Sequence, residues 1–183
     1  ICTADYNQTK QATIAVAKHH GPVYLRFGRP KVPVFMAPDA PFVIGKAQRL
    51  IQGDDVTIVA NGHMVWQAVQ DAQQLKTRGI NADVLNMHTL KPLDEEALLE
   101  SAKRTGFVVT AEEHQRTGGL GALVAQTLAL HHPTPMAMVA VDDQFGESGT
   151  PAQLLDKYGL NAAAIVEAAY AKATSGSRAA TAR

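Results

Sequence analysis

Three short β-prone runs end alike, each passing straight into a polar stretch. Val56 to Ala60 leads into Asn61-Gly62-His63, Ala82 to Leu85 into Asn86-Met87-His88, and Phe107 to Ala111 into Glu112-Glu113-His114. Segments of helical periodicity separate them. This alternation admits few folds, because parallel neighbouring strands need a long crossover and a helix supplies it. The chain is therefore expected to be α/β: three layers, with a doubly wound, mostly parallel sheet between helices. The same order carries His63, His88 and His114 to the carboxyl ends of their strands, the edge at which open α/β sheets bind ligands.

The flanking segments supply the helices. Val65, Ala68, Val69, Ala72 and Leu75 share one helical face, and Gly79 ends it. The next helix opens at Pro92 with Asp94, Glu95 and Glu96 and closes with Lys103, Arg104 and Gly106, the charge order that the helix dipole favours. A third follows Gly118-Gly119-Leu120-Gly121 and is expected to bury Leu120, Leu123, Val124 and Leu128. Met136 to Val141 reads as a strand and Asp142 to Gly149 as a polar loop. A short helix then starts at Thr150-Pro151 and ends at Tyr158-Gly159, and Asn161 is placed to cap a last one.

Upstream, Gln8 to His19 reads as a helix and Val23 to Phe27 as a strand stopped by Gly28-Arg29-Pro30. Pro30, Pro33, Pro38 and Pro41 then impose an extended, irregular path. These breaks divide the chain into a partial domain over 1–29, a linker over 30–41, a complete domain over 42–173 and a tail over 174–183. The tail has small and polar residues without apolar period, and disorder is expected there. Ile1-Cys2-Thr3 reads as mid-domain sequence, so a fragment or a processed product is expected.

With 46% hydrophobic residues in 183, the chain has the composition of a globular domain. Its 17 Lys and Arg balance 17 Asp and Glu, and no basic run stands out. That argues against nucleic acid or an anionic membrane surface as the main partner. The single Cys2 excludes an intrachain disulfide and suits a reducing cytoplasm, the expected location. No apolar run approaches the ~20 residues of a membrane span, and no signal-peptide pattern is visible.

Few residues advertise chemistry. Arg29, just past a strand and beside Gly28, has the planar fork that suits phosphate or carboxylate, although spacing alone favours a solvated arginine. Arg26 alternates with Tyr24 and is less informative. Glu112, Glu113 and His114 follow a β-run, where a carboxylate and an imidazole can do acid–base work. Adjacent residues of an extended chain face opposite ways, so only part of this trio shares a pocket, and helix capping is the favoured reading. His63, Glu113 and His114 are kept as a secondary-pocket candidate. Gly118 to Gly121 before a helix can cradle phosphate through backbone N–H groups, but it lacks the spacing of a dinucleotide fingerprint or a P-loop. The histidines are too far apart for a zinc motif, and no Gly-x-Ser-x-Gly nucleophile elbow is present.

Taken together, Leu90-Lys91-Pro92-Leu93-Asp94, Val109-Thr110-Ala111-Glu112-Glu113-His114, Gly118 to Gly121, and Phe145-Gly146-Glu147-Ser148-Gly149 followed by Pro151 to Leu160 resemble the C-terminal half of a transketolase. The likeness runs from about Ala4 to Tyr170, and split transketolases, whose C-terminal half is a separate subunit, are the nearer comparison. Thr3-Ala4-Asp5-Tyr6-Asn7-Gln8-Thr9 resembles that family's Pro-Ala-Asp-x-x-Glu-Thr, with Thr3 and Gln8 departing from it. The Lys-Pro-Leu-Asp and Glu-Glu segments alone also admit 1-deoxyxylulose-5-phosphate synthases and the β subunits of thiamine-dependent dehydrogenases.

The resemblance implies that residues 1–29 end a pyrimidine-binding domain, and that Arg29 helps hold the phosphate of a sugar phosphate. It implies thiamine diphosphate and Mg²⁺ as cofactors of the parent enzyme, bound by residues upstream of Ile1, so that this chain contributes no catalytic, cofactor or metal residue. It also implies sugar phosphates as substrates, and as partner either the rest of the enzyme in a homodimer or an N-terminal subunit in a heteromer. The piece alone is expected to be inactive. A dimerisation module and an anion-binding regulatory domain are the alternatives from other classes.

Overall fold

In the computed structural model, residues 1–170 are described; the tail placed at 174–183 lies outside them. The elements run α1 (Tyr6–Ala17), β1 (Gln48–Ile51), β2 (Val56–Ala60), α2 (Met64–Thr77), β3 (Ala82–Asn86), α3 (Glu95–Thr105), β4 (Val108–Gln115), α4 (Leu120–His131), β5 (Met136–Val141) and α5 (Pro151–Lys157). Residues 162–170 form a further helical segment. The strands make one sheet in the order β1-β3-β2-β4-β5, in which only β1, against β3, runs antiparallel.

Every residue of β2 and β3 is buried, as in strands covered on both faces. The pleat sends Val56, Ile58 and Ala60 into a core shared with Val65, Ala68, Ala72 and Leu75 of α2 and with Ile165 and Ala169. Val59 goes the other way, to Leu98 and Ala102 of α3 and Leu120, Val124 and Leu128 of α4. Thus the sheet has helices on both faces. The chain leaves β2 toward β3 on one side and returns to β4 on the other. That reversal creates a crevice at the carboxyl end of β2, where open α/β sheets hold ligands.

Local chemistry fixes the element ends. The Asp5 side chain accepts from Gln8 N, and Gln8 Oε1 accepts from Ala4 N, so the two residues cap α1 reciprocally. Asp94 caps α3, Gly106 ends it in the left-handed region (φ 69°), and Asn161 accepts from Ala164 N at the start of the last helical segment. Asp83, fully buried in β3, is held by Arg104 Nη2 at 2.6 Å, Arg49 Nε at 3.2 Å and the Ser101 hydroxyl. Asp71 on α2 is equally buried, yet neither of its oxygens has a hydrogen-bond partner.

Several expectations are corrected. Val23 to Phe27 does not form a strand: Arg26 makes only an isolated parallel bridge to Cys2, because two short runs without further neighbours cannot sustain a ladder. β1 is not foreseeable from the sequence; its four residues alternate too briefly to show a period. β4 continues through Gln115, so Glu112, Glu113 and His114 lie within the strand and not in a turn after it. On α4, Thr127 is buried where Leu123 was expected to be, and Leu123 is half-buried.

Candidate functional site

The first 29 residues lie across the carboxyl edge of the sheet. Cys2 N donates to His88 O at 2.8 Å, just past β3, and Arg26 Nη2 donates to Glu113 O on β4 at 2.9 Å. Gly62, after β2, has φ 56°, and a Cβ there would come within 2.8 Å of Cys2 Sγ, so the close approach requires glycine. The proline-rich stretch docks beside them: Phe35 N and Met36 N both donate to Asp5 Oδ2 at 2.8 Å.

This docking shapes a cavity of about 570 Å³ whose polar walls include Thr3, Asp5, Thr9, Arg29, Lys31 and His63. Arg29 and Lys31 are exposed, and neither makes a hydrogen bond or ion pair among the described residues. Among the described residues Asp5 is the only acidic one lining it, and three backbone N–H groups already occupy its carboxylate. His63 closes one wall from the C-terminal domain. Its Nδ1 lies 4.0 Å from Glu113 Oε2, while Nε2 is sheltered and has no hydrogen-bond partner. Two cationic side chains and an unpaired imidazole nitrogen around one concavity suit an anionic group.

The sequence candidates are therefore regrouped. His63 and Glu113 are neighbours, and His63 shares the cavity of Arg29. His114 does not join them. Glu112 and His114 line a second cavity of about 710 Å³ with Cys2, Arg26, Asn61 and Lys91, while Glu113 between them faces the other way, as the pleat requires. The exposed His114 ring pairs through Nδ1 with Gln115 O at 2.8 Å. His88 is buried against the Phe42 ring, with centroids 4.1 Å apart, and its Nδ1 pairs with Thr89 Oγ1 at 2.9 Å. Burial lowers its pKa to about 4, so it is neutral at neutral pH.

Lys31 does not stand out in the sequence. The available signal was its spacing from Arg29, since residues two apart in an extended segment project to one side. The glycine-rich start of α4 is accounted for by its own chain. Glu112 accepts from Leu120 N at 2.6 Å and from Gly121 N at 2.7 Å. A Cβ at Gly119 would overlap the Glu112 carboxylate, and one at Gly121 would lie 2.9 Å from Met138 Sδ. The donors that could cradle a phosphate are thus already engaged by a buried side chain. No group of three or more His, Cys, Asp or Glu among the described residues could hold a metal ion.

A doubly wound α/β domain, with a cavity at its carboxyl edge lined in part by Arg29, Lys31 and His63, defines the class. The particular family follows from comparison: the model of the transketolase C-terminal domain matches residues 45–165, and the chain belongs to that family. Among curated relatives, it is 47% identical over 167 residues to a 6-deoxy-6-sulfo-D-fructose transketolase subunit of Clostridium sp. (strain MSTE9), covering 91% of this chain and 52% of that protein. It is 38% identical over 170 residues to an apulose-4-phosphate transketolase subunit of Phocaeicola vulgatus, covering 92% of this chain and 54% of that one. A 1-deoxy-D-xylulose-5-phosphate synthase of Desulforudis audaxviator is 36% identical over 170 residues, covering 90% of this chain and 27% of that one. A solved split-gene transketolase, described as an inactive β4 tetramer, superposes with a TM-score of 0.89 at 48% identity, over 92% of this chain and 55% of its own. The chain spans about half the length of the transketolase subunits it matches. No helix among the described residues is long and apolar enough to cross a membrane.

Proposed function

We propose that this chain is the C-terminal portion of a thiamine-diphosphate-dependent transketolase, working in the cytoplasm with a separate part that binds the cofactor. In this reading residues 1–29 end a pyrimidine-binding domain, and Arg29 grips the anionic end of a sugar that donates or accepts a two-carbon ketol unit. The observation that carries it is the cavity in which Arg29 and Lys31 stand without partners among the described residues. The relatives support it: two are named as transketolase subunits, and the named substrates, a sulfo-sugar and a sugar phosphate, each carry an oxyanion. Engagement of the α4 start by Glu112 supports placing the cofactor elsewhere.

The test is Arg29→Ala in the enzyme assembled with its N-terminal part. The KM for the anionic sugar should rise roughly 10- to 100-fold, as for loss of a charge-assisted contact, with little change in kcat. An unchanged KM with weakened assembly would contradict it and favour the dimerisation module. The isolated chain with thiamine diphosphate, Mg²⁺ and sugar should give no turnover; activity from the pure chain would contradict the reading as well.

A further inference from the structure

The Arg29 cavity is built from two parts of the chain. Its cations come from the loop after Phe27, whereas His63 comes from the turn between β2 and α2. His63 stands at the N-cap position of α2 but makes no side-chain cap hydrogen bond. Its ring is turned elsewhere: Nδ1 lies 4.0 Å from Glu113 Oε2, and Nε2 is sheltered without a partner in a residue that lines the cavity. A sheltered ring nitrogen is costly to leave unpaired, which is tolerated where a ligand completes it. The loop that carries Arg29 runs beside the ring: a Cβ at Gly28 would sit at ordinary contact distance, 3.9 Å, from Nε2.

We propose that His63 is a second ligand of the substrate's terminal oxyanion, supplied by the C-terminal domain to the cavity that Arg29 enters from the upstream segment. The inference rests on the transketolase reading above and deepens it. A guanidinium fork engages two oxygens of a tetrahedral oxyanion, which leaves at least one for a donor arriving from another direction. His63 Nδ1 lies on the Glu113 side, so Nε2–H is the donor left to an anion in the cavity. Phosphate and sulfonate present the same tetrahedral face, so either end group satisfies the site. The substrate is then gripped by both parts of the chain at once, and the docking of residues 1–29 on the sheet edge becomes part of specificity.

The experiment uses the assembled enzyme with D-fructose 6-phosphate, 6-deoxy-6-sulfo-D-fructose and uncharged D-fructose as probes. In His63→Ala the KM for whichever anionic ketose is turned over should rise about tenfold, while that for D-fructose and the kcat stay within about threefold. His63→Gln, which restores an N–H donor and safeguards the fold, should regain most of the loss, with an unchanged melting temperature. An unchanged anionic KM in His63→Ala, beside a raised KM in Arg29→Ala, overturns the His63 assignment and leaves the transketolase reading standing. If neither variant changes it, that reading fails too. A rise shared equally by charged and uncharged sugars also overturns the assignment, because it marks distortion and not an anion contact.

Discussion

Two places in this chain present groups that can hold an anion, and they differ in whether the fold has already used them. The start of α4 shows a glycine-rich turn and free-looking N–H groups, but Glu112 takes Leu120 N and Gly121 N for itself. The cavity beneath Arg29 shows a less conspicuous sequence, yet Arg29, Lys31 and His63 Nε2 remain uncommitted among the described residues. Donor number therefore does not define a site; donors without an internal partner do. The same distinction separates two fully buried aspartates. Asp83 is held by Arg104, Arg49 and Ser101, whereas Asp71 has no partner among the described residues.

The largest expected effect comes from emptying the engaged site. Glu112→Ala orphans two buried N–H groups and should cost roughly 3 kcal/mol of stability in denaturant unfolding. Added inorganic phosphate should then stabilise the variant more than the parent chain, because the vacated helix start can accept it. Unchanged stability would erase the contrast between the two places.

Replacing Asp71 should act in the opposite direction. Burial raises its pKa to about 7 from the ordinary 3.8, so the fold favours the protonated form. That contribution is fully present below pH 3.8 and is lost as pH rises through about 7. Asp71→Leu should therefore stabilise the chain by roughly 1–3 kcal/mol at pH 8, and flatten the decline that runs from pH 3.8 to about 7 in thermal melts. A destabilised variant at pH 8 would reveal a partner for Asp71 that the described residues do not supply.

His88 gives the smallest and mirror-image effect. Its pKa falls from 6.5 to about 4 on folding, so its contribution is present above pH 6.5 and is lost as pH falls through about 4. His88→Phe should narrow the difference in melting temperature between pH 7 and pH 4.5 by a few degrees. An undiminished difference would assign the acid limb to other groups.

The sheet was legible because β2, β3 and β4 are apolar runs spaced by helices with clear stops at Gly79 and Gly106, both of which have positive φ. The edge was not. β1 is four residues long, and Val23 to Phe27 makes only the isolated Arg26–Cys2 bridge, so strand propensity there had no ladder to join. Arg29 was legible as a candidate from its neighbours, but its cavity was not, since that depends on His63 arriving from 34 positions further on (63 − 29). Nor could the sequence tell Glu112 from Glu113. Only the pleat of β4 and the closeness of Gly119 decide which of the two is buried.

In the proposed function, the Arg29 cavity holds the substrate's oxyanion. Its most direct measurement is inhibition of the assembled enzyme by inorganic phosphate and by sulfate, in the parent and in Arg29→Ala. Inhibition should be competitive with the anionic sugar, with a Ki raised roughly tenfold in the variant. Inhibition that is non-competitive, or a Ki unmoved by Arg29→Ala, would contradict it.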